Sequence, residues 1–348
     1  MKAPDHTLAD LSQLGEFDCI IDVRSPSEYA EDHIPGAVNY PVLSDEERIE
    51  VGTLYKQVSP FAARKVGAAR VSRNIARYLE GPLAEYGKSW RPLVYCWRGG
   101  QRSGAFTHIL REIGWSARKL EGGYKTWRHL VLNELEQLPL RLSFRVVAGP
   151  TGSGKSRLLE ALAAQGAQVL HLEALAAHKG SVLGELPTQR QPTQKQFETQ
   201  LYATLAACDP VRPIFVEAES RVIGRLRLPL ALHEAIGRSP RWRVEAPLAE
   251  RIAFLLRDYD YLQQPEILAN MLARLVEARG RETVAGWQAQ AQMGAFAELV
   301  GDLLVAHYDP LYAKSFRPRA GQQEYLLQTA DLSADGITKM AQCLLNEC

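Results

Sequence analysis

The chain has 348 residues, which is long for one hydrophobic core, so two domains are expected. Its 46% hydrophobic and 23% charged residues are typical of a folded globular protein and exclude a disordered one. A formal net charge of +1 excludes a generally polybasic protein, so any nucleic-acid binding must come from local patches. Residues 1–10 lack a signal-peptide core and no apolar run approaches the ~18 residues of a membrane span, so we expect a cytoplasmic protein without membrane contact.

The predicted elements of the first part of the chain alternate between strands and helices. Residues 17–23 and 93–95 are short apolar segments that predict strands, and residues 118–120 are predicted to form a strand before Gly122 and Gly123. Residues 103–113 and 124–136 carry apolar side chains at helical spacing, and Pro139 marks a boundary. This alternation predicts a first α/β domain over residues 1–137 with a parallel sheet.

Five cysteines are odd in number and widely spaced, which argues against a disulfide framework or a zinc site. Cys19 and Cys208 lie in apolar patterns and are predicted to be small buried side chains. Cys343 and Cys348 belong to the C-terminal helix and tail. Only Cys96 has the setting of a reactive thiol, and no metal site is expected.

The segment CWRGGQRS at positions 96–103 joins a predicted strand to the start of a predicted helix. Two glycines let the backbone N–H groups turn inward, and two arginines add positive charge. Such a loop at a helix N-terminus binds oxyanions and favours the thiolate form of a cysteine. The pattern therefore predicts that Cys96 is a catalytic nucleophile. The residues predicted to form the oxyanion cradle around it are Arg98, Gly99, Gly100, Arg102 and Ser103.

Two further motifs resemble those of rhodanese-type sulfurtransferases. DVRSPSEYAEDHIPGAV at positions 22–38 resembles their N-terminal signature, and GGYKTW at 122–127 resembles their closing motif. With Cys96 between them, the resemblance covers residues 5 to 135. It implies that Cys96 carries a persulfide or its selenium counterpart. Asp22, Arg24 and His33 are expected to brace the loops rather than to react.

The spacing of the cysteine loop departs from a small sulfurtransferase loop. Five residues separate Cys96 from Arg102, as in the Cys-x5-Arg motif of rhodanese-fold phosphatases. A larger loop suits a tetrahedral phosphate, so the donor that delivers its group to Cys96 is expected to carry phosphate itself.

The predicted elements continue as a second α/β series. Strands are predicted at residues 142–148, 168–172, 213–216, 241–244 and 324–328. Helices are predicted at residues 156–164, 194–207, 247–259 and over most of 265–307. These elements predict a P-loop NTPase-like α/β domain with a helical extension over residues 138–348.

GPTGSGKS at positions 149–156 matches the G-x-x-x-x-G-K-[ST] phosphate loop and lies between a predicted strand and a predicted helix, as such a loop requires. Its amides would surround the phosphates, Lys155 would neutralise their charge, and Ser156 would be available to Mg²⁺. No cofactor is expected to be tightly bound, and Mg²⁺ is the one candidate. The residues predicted to bind the diphosphate are Gly149, Thr151, Gly152, Ser153, Gly154, Lys155 and Ser156.

The identity of that diphosphate stays open at this point. The strand at 213–216 is followed by Glu217 and Glu219, with no aspartate where nucleotide hydrolases place one. These carboxylates either hold a metal or pair with Arg221. The ligand is accordingly ATP or a diphosphate attached to another group.

Two local clusters of basic residues favour binding to a phosphate backbone. Residues 51–79 carry six basic side chains and no acidic one, with Arg70, Arg73 and Arg77 on one helical face. The residues predicted to contact the nucleic acid are Lys56, Arg64, Arg70, Arg73 and Arg77. A second cluster consists of Arg221, Arg225, Arg227, Arg238, Arg241 and Arg243.

Four segments of the second domain resemble those of the tRNA 2-selenouridine synthases: LEALAAHKGS at 172–181, QPTQKQFE at 191–198, VEAESRVIG at 216–224 and HYDPLY at 307–312. With the rhodanese-like half in front, the resemblance spans nearly the whole chain. It implies a transferase that changes the wobble 2-thiouridine of tRNA to 2-selenouridine through S-geranyl-2-thiouridine. Its implied partners are tRNA, geranyl diphosphate, and selenophosphate supplied by a selenophosphate synthetase.

Two other functions stay open. A rhodanese-fold phosphatase or sulfurtransferase with an ATP-binding regulatory domain needs the Cys96 loop but no tRNA. A tRNA-binding ATPase with a degenerate rhodanese module needs Lys155 and not Cys96. The intact cysteine loop argues against the ATPase, and the closing motif at 122–127 argues against the phosphatase.

Overall fold

The computed structural model describes residues 7–180, 184–185, 189–258, 264–315, 318 and 321–346. The chain divides into two compact units between Glu134 and Leu135. Each unit contains a five-stranded parallel sheet, so the predicted α/β fold class is confirmed. In the described ranges, no helix combines the length and the apolar character needed to cross a bilayer.

The sheet of the first unit has the strand order β1-β5-β4-β2-β3, with every pair parallel. Its strands are β1 (Leu8–Ala9), β2 (Cys19–Asp22), β3 (Ala37–Asn39), β4 (Pro92–Tyr95) and β5 (Arg118–Leu120). Its helices are α1 (Pro26–Glu31), α2 (Asp45–Gln57), α3 (Pro60–Glu80), α4 (Gln101–Ile113) and α5 (Tyr124–Gln137), with a 3₁₀ helix at Leu11–Glu16. Strand β4 is buried at the centre of the sheet and ends at Tyr95. Cys96 therefore lies at the carboxyl end of the sheet, on the same side as the loops that follow the other parallel strands.

Helices α2 and α3 form a hairpin between β3 and β4. Ser44 begins α2 with a reciprocal capping box, because its side chain accepts from the Glu47 amide while the Glu47 carboxylate accepts from the Ser44 amide. The Ser59 side chain caps α3 by accepting from the Ala62 amide, without a reciprocal bond, and Pro60 occupies the first turn. The local sequence therefore specifies the break between the two helices.

The sheet of the second unit has the strand order β12-β11-β6-β8-β7, again all parallel. Its strands are β6 (Phe144–Ala148), β7 (Gln168–Leu170), β8 (Ile214–Glu217), β11 (Arg241–Glu245) and β12 (Glu324–Gln328), and a separate antiparallel hairpin joins β9 (Val222–Ile223) to β10 (Leu226–Arg227). The helices beside the sheet are α6 (Lys155–Ala164), α7 (Leu172–Ala176), α8 (Gln194–Ala206), α9 (Leu230–Arg238), α10 (Leu248–Asp258), α15 (Asp309–Ser315) and α16 (Ala334–Asn346).

The predicted helical extension is present. It consists of α11 (Pro265–Ala273), α12 (Val276–Arg279), α13 (Arg281–Gln292) and α14 (Phe296–Leu303), followed by a π-helical turn at Leu304–Tyr308. These helices have a core of their own, in which Leu272, Trp287 and Leu299 are almost fully buried. The extension thus packs as a small helical layer attached to the α/β unit.

Several predicted boundaries differ from the structure by a few residues. The strand expected at 168–172 ends at Leu170, because His171 takes the N-cap position of α7. The strand expected from residue 142 begins at Phe144. The helix expected at 247–259 is found as α10, and Tyr259, Ser181 and Cys348 lie outside the described residues.

Candidate functional site

Cys96 lies at the start of the loop between β4 and α4 and is buried. The Gly100 N–H donates to its Sγ at 3.3 Å, and the Ser103 hydroxyl lies 3.2 Å from the same sulfur. The Ser103 hydroxyl also donates to the Gly100 carbonyl at 3.3 Å, so the first turn of α4 is held against the thiol. The Cys96 sulfur thus accepts from a backbone amide and lies within hydrogen-bond distance of a hydroxyl, both at the N-terminus of α4.

The closing motif of the first unit holds the cysteine loop from the other side. The Tyr124 amide donates to the Cys96 carbonyl at 2.9 Å, and the Lys125 amide donates to the Trp97 carbonyl at 3.0 Å. Gly99 and Gly123 both have positive φ where the two segments touch. The cysteine loop and the closing motif at 122–127 therefore form one hydrogen-bonded loop pair.

A buried polar network lies beneath these loops. Arg24 pairs with Asp22 at 2.6 Å, donates to the Asp32 carbonyl at 2.6 Å and covers the Tyr124 ring at 3.9 Å. The Tyr124 hydroxyl donates to Asp32 Oδ2 at 2.7 Å. His33 stacks on a tyrosine ring, with its Nδ1 2.9 Å from a backbone carbonyl. These contacts place Asp22, Arg24 and His33 in bracing positions, as predicted.

Arg102, the second arginine of the cysteine loop, is paired with a carboxylate of α1. Its Nη1 and Nη2 donate to the Glu28 carboxylate at 2.6 and 3.3 Å, and the pair is mostly buried. Burial by itself would raise the pKa of Glu28, but the hydrogen bonds and charge of Arg102 hold that pKa below its ordinary value. The charge that Arg102 is predicted to add to the cradle is thus shared with a carboxylate of α1, and its role toward the oxyanion stays a prediction. Arg98 is exposed and remains the arginine available beside Cys96.

The other described cysteines lack such a setting. Cys19 and Cys208 are half-buried, and burial raises the pKa of both thiols. Cys343 is exposed on α16. Among the thiols in the described ranges, Cys96 is thus the one that contacts a helix N-terminus.

The phosphate loop of the second unit connects β6 to α6. Lys155 is the first residue of α6, and its Nζ donates to the Gly149 carbonyl at 2.9 Å and to the Pro150 carbonyl at 3.4 Å. Ser153 closes the turn by donating from its hydroxyl to the Pro150 carbonyl at 2.8 Å. Three glycines of the loop have positive φ: Gly149, Gly152 and Gly154.

Two side chains outside the motif hold this loop in place. Buried Arg251 on α10 donates to the Thr151 carbonyl at 2.9 and 2.7 Å and pairs with Asp309 at 2.6 Å. Arg251 is not predicted from the sequence, because the phosphate-loop pattern does not specify which side chain supports its carbonyls. Its partner Asp309 belongs to the HYDPLY segment, and the resemblance of that segment to the selenouridine synthases is the one sequence feature that pointed to this position.

A chain of carboxylates runs beneath the end of the loop. The Ser156 hydroxyl donates to Glu173 Oε2 at 2.7 Å, and the Glu173 amide donates to Glu217 Oε1 at 2.7 Å. Glu217 Oε2 is buried without a hydrogen-bond partner. Burial, together with the charge of Glu173, raises the pKa of Glu217 to about 8, and the same causes raise the pKa of Glu219. Both carboxyl groups are therefore largely protonated at neutral pH.

The carboxylates after β8 do not form the pair with Arg221 that the sequence left open. Glu217 points at α7, and Glu219 lies against Gly180 in a cavity of about 100 Å³ beside the phosphate loop. Over the described ranges, no group of three or more His, Cys, Asp or Glu side chains is arranged to hold a metal ion. Lys179 also lines this cavity and adds a second positive charge beside Lys155.

The four segments that resemble selenouridine synthases meet around the phosphate loop. Glu173, from the first segment, contacts Ser156 of the loop, and Glu217, from the third, contacts Glu173. Gln191, from the second, donates to the carbonyls of Ala176 and Ile223 at 3.1 and 3.0 Å. The fourth supplies the carboxylate that pairs with Arg251. Glu173 and Asp309, which are 136 positions apart in the chain, thus belong to one site.

A larger cavity of about 880 Å³ adjoins the phosphate loop at Pro150 and Tyr312. Tyr312 lines both cavities. The arginines in the wall of the larger one are paired with carboxylates, as in the contacts of Arg241 and Arg243 with Glu324. The second unit therefore offers room beside the phosphate site for more than a bare diphosphate.

The basic helix of the first unit is partly neutralised. Arg70 Nη2 lies 3.2 Å from Glu50 Oε2, and Arg70 Nε lies 3.9 Å from Glu47 Oε1. Burial would raise the pKa of Glu47, but hydrogen bonds and the charges of Arg70 and Arg73 hold that pKa below its ordinary value. The expectation of uncompensated charge is wrong for Arg70, because the α2–α3 hairpin brings carboxylates from outside residues 51–79 beside it. Arg73 and Arg77 are exposed, the latter 3.5 Å from an asparagine oxygen.

The remaining basic positions divide in a similar way. Lys56 and Arg64 are exposed near the turn between α2 and α3. In the second predicted cluster, Arg238 pairs with Glu234 on α9, and Arg225 donates to backbone carbonyls near Gln191. Most of that second cluster is therefore engaged within its own unit.

Comparison with known families agrees with this architecture. The model of the rhodanese-like domain matches residues 5–130, and the model of the tRNA 2-selenouridine synthase AAA domain matches residues 142–283. The two matches correspond to the unit that contains Cys96 and the unit that contains the phosphate loop.

Several curated proteins are similar to most of the chain. The tRNA 2-selenouridine synthase of Alcanivorax borkumensis is 34% identical, over 90% of this chain and 94% of its own length. Those of Nitrosomonas europaea and Marinobacter nauticus are 37% and 32% identical, and the matches cover 68% and 89% of those proteins and 74% and 87% of this chain. Together with the two domain matches in the same order, these relatives show that the chain belongs to the tRNA 2-selenouridine synthase family.

Proposed function

We propose that this chain replaces the sulfur of 2-thiouridine by selenium at the wobble position of tRNA. The shared name of its relatives supports tRNA as the substrate. The observation that carries the proposal is the presence, in one chain, of a thiol held at a helix N-terminus and a lysine-bearing phosphate loop. The first suits a selenium donor that carries phosphate, and the second suits a diphosphate leaving group.

In the first step the phosphate loop binds geranyl diphosphate. The thiouridine sulfur attacks C1 of the geranyl group, the bond from C1 to oxygen breaks, and diphosphate leaves. Lys155 and the loop amides stabilise the charge on that leaving group. The adjoining cavity of about 880 Å³ supports this assignment, since it has room for the group attached to the diphosphate.

In the second step selenium from selenophosphate enters at C2 of the base, and geranylthiolate leaves. Alkylation makes this exchange possible because a thioether sulfur leaves more readily than a thiocarbonyl sulfur. The Cys96 loop binds selenophosphate through its amides and the exposed Arg98. Cys96 acts as the nucleophile: its thiolate attacks phosphorus, the Se–P bond breaks and the selenide released there attacks C2, after which water hydrolyses the S–P bond and releases phosphate.

A magnesium ion fits beside the diphosphate. The Ser156 hydroxyl and the Glu173 carboxylate are 2.7 Å apart and are both oxygen ligands of the kind Mg²⁺ prefers, with phosphate oxygens and water completing its shell. Bound there, the ion would add positive charge at the leaving group.

The alternatives receive less support. A phosphatase of the Cys-x5-Arg type needs Arg102 on the substrate phosphate, and Arg102 is held by Glu28. An ATPase whose mechanism does not involve Cys96 does not explain why a backbone amide and a hydroxyl contact the Cys96 sulfur.

The test is mass spectrometry of tRNA nucleosides from cells that carry the wild-type chain, Cys96→Ala or Lys155→Ala in place of their own enzyme. Cys96→Ala should abolish 2-selenouridine while S-geranyl-2-thiouridine persists. Lys155→Ala should lower both products, because a lost charge-assisted contact costs roughly 1.5–3 kcal/mol, or about 10- to 150-fold in rate.

Cys343→Ala is the matched control for loss of a thiol, because Cys343 is exposed on α16 and belongs to neither loop. It should leave the nucleosides unchanged. Selenouridine at the wild-type level in the Cys96→Ala strain would remove Cys96 from the mechanism, and binding of ATP with no binding of geranyl diphosphate would reassign the phosphate loop.

A further inference from the structure

The turn between α2 and α3 carries large apolar side chains in solvent. Tyr55, Val58 and Phe61 expose 57%, 68% and 67% of their surface. They lie within seven consecutive residues, on both sides of the break that Ser59 and Pro60 impose. Single exposed apolar residues are common, but a group of three with two aromatic rings marks a surface that binds something.

The same turn carries the unpaired part of the basic segment. Lys56, Arg64 and Lys65 are exposed, and no contact with a carboxylate is recorded for them within the described residues. The Lys65 ammonium lies 5.2 Å from the centre of the Phe61 ring, a cation–π distance. We call the six residues Tyr55, Lys56, Val58, Phe61, Arg64 and Lys65 the hairpin tip.

The hairpin tip differs from the rest of its helices. The acidic residues nearest in sequence, Glu47 and Glu50, are engaged with Arg70 and leave the tip without negative charge. The structure thus separates a neutralised base of the hairpin from a tip that combines aromatic rings with free cations. That separation is invisible in the sequence, where all six basic residues belong to one acid-free run.

The chemistry of the tip fits unpaired nucleotides. Aromatic side chains stack on bases only where these are not already stacked in a duplex, and lysine and arginine beside them contact the phosphates. Protein interfaces also use aromatic residues, but they are depleted in lysine, and two of the three cations here are lysines. The tip's charge is complementary to a polyanion.

We propose that the hairpin tip binds a single-stranded segment of the RNA substrate, with Tyr55 and Phe61 stacking on bases and Lys56, Arg64 and Lys65 contacting phosphates. This inference rests on the proposed function, which makes RNA the substrate. It assigns base contacts to two aromatic residues and moves the phosphate contacts from Arg70 to the tip.

The test compares full-length variants in their binding to the tRNA, to a single-stranded RNA and to a duplex RNA of equal length, at several salt concentrations. Tyr55→Ala/Phe61→Ala should weaken binding of single-stranded RNA on the order of tenfold for each lost stack and leave duplex binding unchanged. Tyr55→Trp/Phe61→Trp should retain binding, since the rings are kept. Lys56→Gln/Arg64→Gln/Lys65→Gln should lower the log–log salt slope by up to roughly two units.

Ile49→Ala is the matched control, because Ile49 is exposed on the same hairpin but beside the carboxylates. It should bind every RNA as the wild type does. Wild-type affinity of the Tyr55→Ala/Phe61→Ala variant for single-stranded RNA would overturn the inference. So would a change in the protein's sedimentation without a change in RNA binding, which would make the tip a contact between copies of the chain. Failure of the wild type to bind any RNA would instead contradict the proposed function.

Discussion

Gly123 shows how a single residue shapes the cysteine loop. Its φ is +63°, and a Cβ added there would overlap the Cys96 carbonyl oxygen and lie 2.5 Å from the Gly99 nitrogen. Gly36 has a similar φ of +78° but open space around it. Both positions thus require a backbone conformation that is unfavourable for other residues, but only Gly123 also lies close to the cysteine loop.

Gly123→Ala should therefore destabilise the first unit by more than Gly36→Ala, which should cost only the ~1–2 kcal/mol of a left-handed alanine. Thermal unfolding measures the difference, and the rate of Cys96 alkylation by iodoacetamide reports the loop. Equal losses in the two variants, with unchanged alkylation, would show that the cysteine loop does not depend on the close contact.

Glu217 makes the stability of the second unit depend on pH. Its folded pKa of about 8 lies above its ordinary value of 4.5, so the native state keeps a proton that the unfolded chain releases. This contribution is fully present below pH 4.5 and is lost as pH rises to 8. Glu217→Gln, which has no charge, should remove up to about 1.4 kcal/mol per pH unit from the pH dependence over that range.

The measurement is the free energy of unfolding of both proteins at pH 5, 6.5 and 8. Glu277→Gln is the control, since that side chain is exposed on α12 of the same unit. Parallel curves for the wild type and Glu217→Gln would mean that Glu217 is ionised in the folded protein.

At the scale of elements, α1 and α4 are joined by the pair of Glu28 and Arg102. The pair fixes the first turn of α4, whose amide contacts the Cys96 sulfur. Arg102→Met keeps much of the side-chain volume but leaves the Glu28 carboxylate buried without its partner. It should lower stability by about 1–3 kcal/mol at pH 7.

The sign of its pH dependence follows from the depressed pKa of Glu28. The pair stabilises the fold above the carboxyl's ordinary pKa of 4.5, and this contribution is lost as pH falls through the lower folded value. The difference between wild type and Arg102→Met should accordingly shrink below pH 4. The double variant Arg102→Met/Glu28→Gln should recover part of the loss, and no recovery would mean that the pair is not the cause.

At the scale of the whole molecule, the two sites belong to units with separate cores. The core of the first contains Ile21, Val94 and Phe106, and that of the second contains Val147, Leu159 and Val244. A ligand of the phosphate loop therefore acts first on the second unit.

Pyrophosphate at 100 times its Kd should stabilise the second unit by about 2.7 kcal/mol. Hydrogen exchange should slow in β6, α6 and α10 and stay unchanged in β2, β4 and α4. Lys155→Ala at the same ligand concentration should show no such protection. Equal protection of both units would mean that they unfold as one cooperative body.

Much of the fold followed from local pattern. The strand at 324–328 and the helical stretch after residue 265 are present as expected, because apolar periodicity and flanking prolines report local structure directly. The short pieces β1, β3, β9 and β10 were not predicted. β1, β9 and β10 have two residues each, too few to leave an apolar pattern, and β3 has one buried side chain in three. They form where a neighbouring strand accepts their hydrogen bonds.

The sequence by itself determined the cysteine loop and the phosphate loop. Glycine, cysteine and lysine at fixed spacing set the backbone conformation between one strand and the next helix. Only the tertiary structure decided the partners of the charged residues. Arg102 meets Glu28, Arg70 meets Glu50, and Arg251 supports Thr151, each across 20 or more positions. The attraction between opposite charges depends on their distance in space, which packing sets and sequence separation does not. A list of basic residues therefore cannot say which of them stay free for a substrate.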